Sequence, residues 1–193
     1  LLIAIFIGIG LVYKEIDKRT IYAILSKPVH RFKFIIGKYF GLVITLLLNF
    51  FIMTVSFLAV LWFFDAEIDF YLLPAILLIF WEMLIVVAFS ILFSSFTNPT
   101  LSAIFSIFIF ISGQYVADFK IFGTGIDNKL FALLLKILYY ILPNFEKFDI
   151  KGEVVHHLPI SSSMVFLSLA YGIFYVAVVI LLSILIFQRR NFK

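Results

Sequence analysis

The chain contains no cysteine, so disulfide bonds and metal sites built from thiolates are excluded. Charged residues are also scarce: they make up 13% of the sequence, whereas soluble domains have about a quarter. An acceptor for N-linked glycosylation is missing too, because Asn98-Pro99-Thr100 carries proline at the forbidden position. These shortages exclude a disulfide framework and argue against a soluble domain.

Apolar residues dominate what is present. Hydrophobic residues make up 64% of the 193 residues and aromatic residues 19%, and the mean hydropathy is +1.19. An α-helix needs about 20 apolar residues to cross a bilayer, and several runs in this chain are long enough. The sequence therefore predicts an all-α fold, a polytopic transmembrane helical bundle.

One transmembrane domain is predicted over residues 1–193. Residues 1–12 are apolar but too few to cross a bilayer, which predicts a span truncated at its N-terminus rather than a signal peptide. The run at 130–142 would measure roughly 20 Å as a helix, so it is predicted to be a re-entrant or interfacial helix. The other predicted parts are the basic segment 13–38, spans at 39–64, 70–93, 100–117 and 164–187, the region 118–163, and the tail 188–193.

Positive charge is concentrated in the basic segment. It holds seven of the fifteen Lys and Arg residues against two acids, and the tail holds three more. The charged residues of the link at 65–69 are all acidic, and the region 118–163 balances five acids with five lysines. Because cationic loops stay inside, we predict a multi-pass protein of the cell membrane with a cytoplasmic basic segment and C-terminus and an extracytoplasmic 118–163 region. The same topology accounts for the net charge of +4, so no nucleic-acid partner is predicted.

The basic segment has helix signals of its own. Its first half carries apolar residues at helical spacing, and Pro28 disfavours helical geometry at Lys27, so an amphipathic surface helix is predicted to end near Ser26. A solvent-facing turn at Ser26–Arg31 follows. Gly37-Lys38 is not a P-loop, because the first glycine and the Ser or Thr after the lysine are missing. No ATP site is therefore predicted on this chain.

Spaced residues in the basic segment resemble those of the membrane (permease) subunits of type-2 ABC transporters, in an exporter-like bacterial branch. The pattern departs from that family at Arg19, where glycine is usual, and at His30, where serine is usual. The residues that carry the resemblance are Glu15, Thr20, Leu25-Ser26, Pro28-Val29, Arg31 and Gly37-Lys38, with the LPNF sequence at Leu142–Phe145 and the Arg-Arg-Asn-Phe ending as further likenesses.

The resemblance implies a permease that moves a substrate, driven by ATP hydrolysis on a separate chain. Its implied partners are P-loop ATPase subunits, a second membrane subunit in a homo- or heterodimer, and the lipid bilayer. ATP and Mg²⁺ would be held by the ATPase, and no cofactor is implied on this chain. Glu15–Leu25 would be the connecting helix of a cytoplasmic coupling element. The ATPase-coupling residues would be Glu15, Thr20, Ser26, Lys27, Pro28, Val29, His30 and Arg31.

Glu82 lies near the middle of a predicted span, where an ionisable side chain is costly and is a functional candidate by default. One hypothesis places Glu82 and Asn49 on a translocation path. A second makes Glu82 an anchor between helices, hydrogen-bonded to a neighbour such as Asn49. A third places it near the membrane interface.

Catalytic and metal sites are weakly indicated. His156 and His157 are adjacent, so their side chains diverge and make a poor chelate; no metal site is predicted. Because no cluster of His, Asp and Glu marks a catalytic site, the chain is predicted not to be an enzyme. Two alternatives remain open: a membrane-embedded enzyme using Glu82, and a non-transporting scaffold with a permease-like fold.

Overall fold

The computed structural model describes Ile5 and residues 31–64, 72–119, 129–156, 158 and 160–189. Within these residues every regular element is helical and no strand is present, which confirms the predicted all-α class. The main elements are α1 (Arg31–Phe63), α2 (Leu72–Ser94), α3 (Pro99–Gln114), α4 (Lys129–Ile141), a 3-10 turn (Phe145–Phe148), α5 (Lys151–Val155) and α6 (Ser162–Arg189).

Three of the described helices, α1, α2 and α6, are long and apolar enough to cross a membrane. Helix α1 begins at Arg31, eight residues before the predicted span at 39–64, so Lys33 and Lys38 belong to one continuous helix of 33 residues. Helix α3 has only 16 residues, about 24 Å at 1.5 Å per residue, against a hydrocarbon core of about 30 Å. By itself it is shorter than a full crossing requires, and the chain is helical again at residues 116–119.

Helix α2 is the centre of the bundle. It is apolar around its whole circumference, as expected of a helix surrounded by others, and it packs against α6, α3 and α1. Residues 85–88 are fully buried. Helix α1 is the opposite case, since only 6% of its most apolar 18-residue stretch is buried within the bundle. Most of its side chains are thus left to face lipid or another chain.

Small polar residues are buried along both α2 and α3. Ser90 and Ser94 on α2, and Ser102 and Ser106 on α3, are all buried and spaced four residues apart within each helix. Such small-xxx-small spacing lets two helix backbones approach closely in a membrane. The turn between them is closed by Thr97 and Ser102, whose hydroxyl oxygens lie 2.6 Å apart. The two helices therefore form a tight antiparallel hairpin.

Helix α4 stands apart from this bundle. It carries Lys129 and Lys136 in an otherwise apolar sequence, and most of its large apolar side chains are exposed, including Leu130, Tyr140 and Ile141. A short amphipathic helix with an exposed apolar surface is typical of an interfacial element. The predicted short helix at 130–142 thus corresponds to a helix at Lys129–Ile141.

Candidate functional site

The segment after α4 turns into the bundle and is called the buried loop here (residues 142–150). Phe145, Phe148 and Ile150 are almost completely buried, although the charged neighbours Glu146, Lys147 and Asp149 are exposed. The loop packs against α2, α3 and α6 through its 3-10 turn. The loop is therefore covered by protein although most of its backbone is irregular.

Two glycines receive the aromatic side chains of the buried loop. A Cβ atom placed on Gly113 of α3 would overlap one ring carbon of Phe145, and it would lie 2.7 Å from a second ring carbon and 2.8 Å from the carbonyl oxygen of Pro143. One placed on Gly172 of α6 would lie 3.3 Å from the ring of Phe148. The Gly113 contact is the tighter, so only glycine can occupy that position without a shift of the loop.

Hydrogen bonds attach the buried loop to one face of α6. The backbone N–H of Asn144 donates to the hydroxyl of Tyr171 at 2.9 Å, and the hydroxyl of Ser168 donates to the carbonyl oxygen of Lys147 at 2.8 Å. Tyr175 donates its hydroxyl to the carbonyl oxygen of Ile141, the last residue of α4, immediately before the loop. The ammonium group of Lys147 lies 4.3 Å above the ring of Tyr171, within range of a cation–π interaction. The loop and α6 are thus joined by several independent contacts.

A polar pair lies beside the buried loop. The side-chain amide of Gln114, the last residue of α3, donates a hydrogen bond to the carboxyl group of Glu82. Glu82 is the eleventh residue of α2 and only 6% exposed. Nearby, where the loop meets α5, Lys151 Nζ and Asp149 Oδ2 form an ion pair 3.4 Å apart. An interhelical partner such as Gln114 offsets part of the cost of burying a carboxyl group among apolar helices.

The structure does not bring Glu82 and Asn49 together. Asn49 lies on the exposed surface of α1, and its amide donates to the carbonyl oxygen of Thr45 in the same helix at 2.9 Å. The hydrogen-bond partner of Glu82 is Gln114 instead. Among the three sequence hypotheses, the observed bond corresponds to the anchor between helices, with a different partner from the one considered.

The remaining predicted site residues fall largely outside the described part of the chain. The coupling residues from Glu15 to His30 lie there, and Arg31 is the first residue of α1. His156 caps the C-terminal end of α5 through its backbone N–H, while His157 is not among the described residues. Within the described ranges, no group of three or more His, Cys, Asp or Glu side chains is placed to hold a metal ion.

Sequence reasoning missed Gln114 and Gly113. A signal for Gln114 was present, because Glu82 and Gln114 are each sixteen residues from Asn98 in the turn between α2 and α3. In an antiparallel hairpin with a short turn, residues equidistant from the turn lie at the same level. Gly113 had no comparable signal, since its role depends on the packing of Phe145.

A family model described as "ABC-2 family transporter protein" matches residues 1–192, almost the whole chain. No curated protein matched the chain.

Proposed function

The chain belongs to the ABC-2 transporter family, and from this membership we propose that it is the permease subunit of an exporter driven by a separate P-loop ATPase. The family match over residues 1–192 carries the proposal. ATP and Mg²⁺ are bound by the ATPase, and a second membrane subunit, identical or different, completes the membrane part. The basic segment and the C-terminal tail face the cytoplasm, in keeping with the distribution of positive charge.

The contact with the ATPase is assigned to the turn Ser26–Arg31, preceded by the connecting helix Glu15–Leu25. The structure of α1 supports this assignment, because the helix begins at Arg31 and continues without interruption to Phe63. A force applied to the turn would act directly on the end of a rigid helix about 50 Å long. Movement at the cytoplasmic surface would therefore tilt α1 relative to α2.

The translocation path is placed beside Glu82. The carboxyl group of Glu82 lies near the middle of α2 and next to the buried loop, where α2, α3 and the loop meet. Asn49, on the outer surface of α1, would border a path only where the second membrane subunit packs against that surface. Helix α4 is assigned to the extracytoplasmic side, where it would help to form the outer gate or a re-entrant element that faces lipid, in keeping with its exposed apolar surface.

Co-purification tests the proposal. The full chain would be isolated from its native membrane in mild detergent, and the associated chains identified. We expect a P-loop ATPase in the preparation, and we expect the Arg31→Glu variant to lose it and to lose transport. Lys136→Glu is the matched control, because it reverses an exposed cation on α4, far in sequence from the proposed contact.

Two results would contradict the proposal. One is the absence of any ATPase from the wild-type preparation. The other is retention of both the ATPase and transport by Arg31→Glu. Equal losses in Lys136→Glu and Arg31→Glu would also contradict the assignment of the contact to residues 26–31, because charge reversal at a cation outside the proposed contact would then have the same effect.

A further inference from the structure

We propose that the hydrogen bond between Glu82 and Gln114 is a latch that keeps the buried loop seated on α3. The inference deepens the proposed function, since the loop borders the proposed path. It is carried by the position of two adjacent residues in the last turn of α3: Gly113 receives Phe145, and Gln114 holds Glu82. One turn of helix therefore makes both contacts.

The last turn of α3 needs such an attachment. Helix α3 ends at Gln114, where the backbone N–H of Tyr115 returns to the carbonyl oxygen of Ser112. The terminal turn of a helix has lost part of its backbone hydrogen bonding and frays more readily than the interior. The bond from Gln114 to Glu82 joins this turn to α2, the most buried helix of the bundle.

The close contact of Phe145 with Gly113 tolerates little displacement. The ring and the carbonyl oxygen of Pro143 both approach Gly113 so closely that no Cβ atom could fit between them. In a close-packed contact, a displacement of a few tenths of an ångström is already resisted. Releasing Gln114 from Glu82 would let the last turn of α3 move, and Gly113, which contacts Phe145, would move with it.

The contacts on α6 determine which elements separate when the latch breaks. Tyr171 and Ser168 hold the loop to α6, and Tyr175 holds Ile141 immediately before it, without involving Glu82 or Gln114. When the latch breaks, the loop and α6 therefore stay together and the end of α3 separates from them. The cleft that results opens between Gly113 and Phe145.

Single-cysteine labelling tests the latch, because the chain contains no cysteine of its own. The probe is Ser112→Cys, a near-isosteric change at a buried residue in the last turn of α3. The control probe is Ser90→Cys, a fully buried position on α2 eight residues from Glu82. Each full-length variant would be placed in lipid nanodiscs, which leave both membrane faces accessible, and treated with a water-soluble maleimide.

We expect slow labelling of both probes with the latch intact. Glu82→Ala or Gln114→Ala should accelerate labelling at position 112 by about three- to tenfold, the equivalent of about 0.6–1.4 kcal/mol for one interhelical hydrogen bond. Glu82→Gln should keep labelling slow, since the new side-chain carbonyl oxygen accepts the same bond. The double variant Glu82→Ala/Gln114→Ala should match either single variant, because both remove one shared interaction.

The latch is overturned if the alanine variants leave labelling at position 112 unchanged, if Glu82→Gln labels as fast as Glu82→Ala, or if the double variant shows additive effects. Acceleration at positions 90 and 112 together would also overturn it, since it would indicate general loosening. These measurements need no ATPase. A failure of co-purification would therefore leave the latch intact, and a failure of the latch would leave the proposed ATPase contact intact.

Discussion

At the scale of single residues, Gly113 is the position with the least freedom. A methyl group there would overlap the ring of Phe145 and approach the carbonyl oxygen of Pro143, and the backbone atom cannot move as cheaply as a side-chain tip. We expect Gly113→Ala to destabilise the protein by about 1–3 kcal/mol, the usual cost of overpacking a well-packed site. The midpoint of thermal unfolding in detergent measures this loss.

Gly41→Ala is the matched control for that substitution. Gly41 lies on α1, and nothing would come within 4 Å of a Cβ atom added to it. Alanine should be neutral or stabilising there, because it favours the helix by about 0.5–1 kcal/mol over glycine. If Gly113→Ala unfolded at the same temperature as Gly41→Ala, the tight seat of Phe145 would be refuted.

The residue scale also shows why the candidate site could be predicted only in part. Glu82 was found from sequence because a carboxyl group inside an apolar run is conspicuous. Its partner Gln114 sits where an apolar run ends, a place where a polar residue attracts no notice. The burial of Phe145 and Phe148 was hidden by the charges around them: Glu146, Lys147 and Asp149 point outward from the same short turn.

At the scale of elements, the buried serines at four-residue spacing on α2 and α3 predict a close approach of the two helices. Ser106 on α3 is fully buried, and its hydroxyl has no hydrogen-bond partner among the described residues. We expect Ser106→Ala to be neutral or slightly stabilising, because an unpaired buried hydroxyl is removed. Ser106→Leu should cost about 1–3 kcal/mol, because the larger side chain forces the hairpin apart.

Reversible unfolding of the two variants in detergent separates these outcomes. Ser106→Ala carries no added bulk and so serves as the control for Ser106→Leu. Should Ser106→Leu prove as stable as Ser106→Ala, the serines would not be needed for close packing. A large loss in Ser106→Ala would instead mean that the hydroxyl has a partner that the described residues do not include.

The helices themselves were the predictable part of the fold. Apolar runs of 20 or more residues can only be satisfied as helices in lipid, so α1, α2 and α6 follow from hydropathy alone. The buried loop after α4 was not predictable in the same way. The sequence directed attention to the apolar run at 130–142, whereas the residues that enter the bundle are in the charged stretch that follows it.

At the scale of the whole molecule, the distribution of apolar surface predicts which parts of the bundle meet lipid. The two tryptophans report on this directly. Trp62 lies near the C-terminal end of α1 and is 76% exposed, whereas Trp81 is half-buried in α2 close to Gly172. Tryptophan near the end of a span is typical of the membrane interface. We therefore expect Trp62 to contact lipid and Trp81 to be shielded by protein.

Fluorescence quenching by brominated lipids measures the difference. Trp81→Phe leaves Trp62 as the sole tryptophan, and its emission should be quenched strongly, most of all by bromines near the headgroups. Trp62→Phe leaves Trp81, which should be quenched weakly at every bromine depth. Equal quenching of the two variants would contradict the packing of Trp81 between α2 and α6. Weak quenching of Trp62 in the assembled transporter, with strong quenching in the isolated chain, would identify α1 as a surface that the second membrane subunit covers.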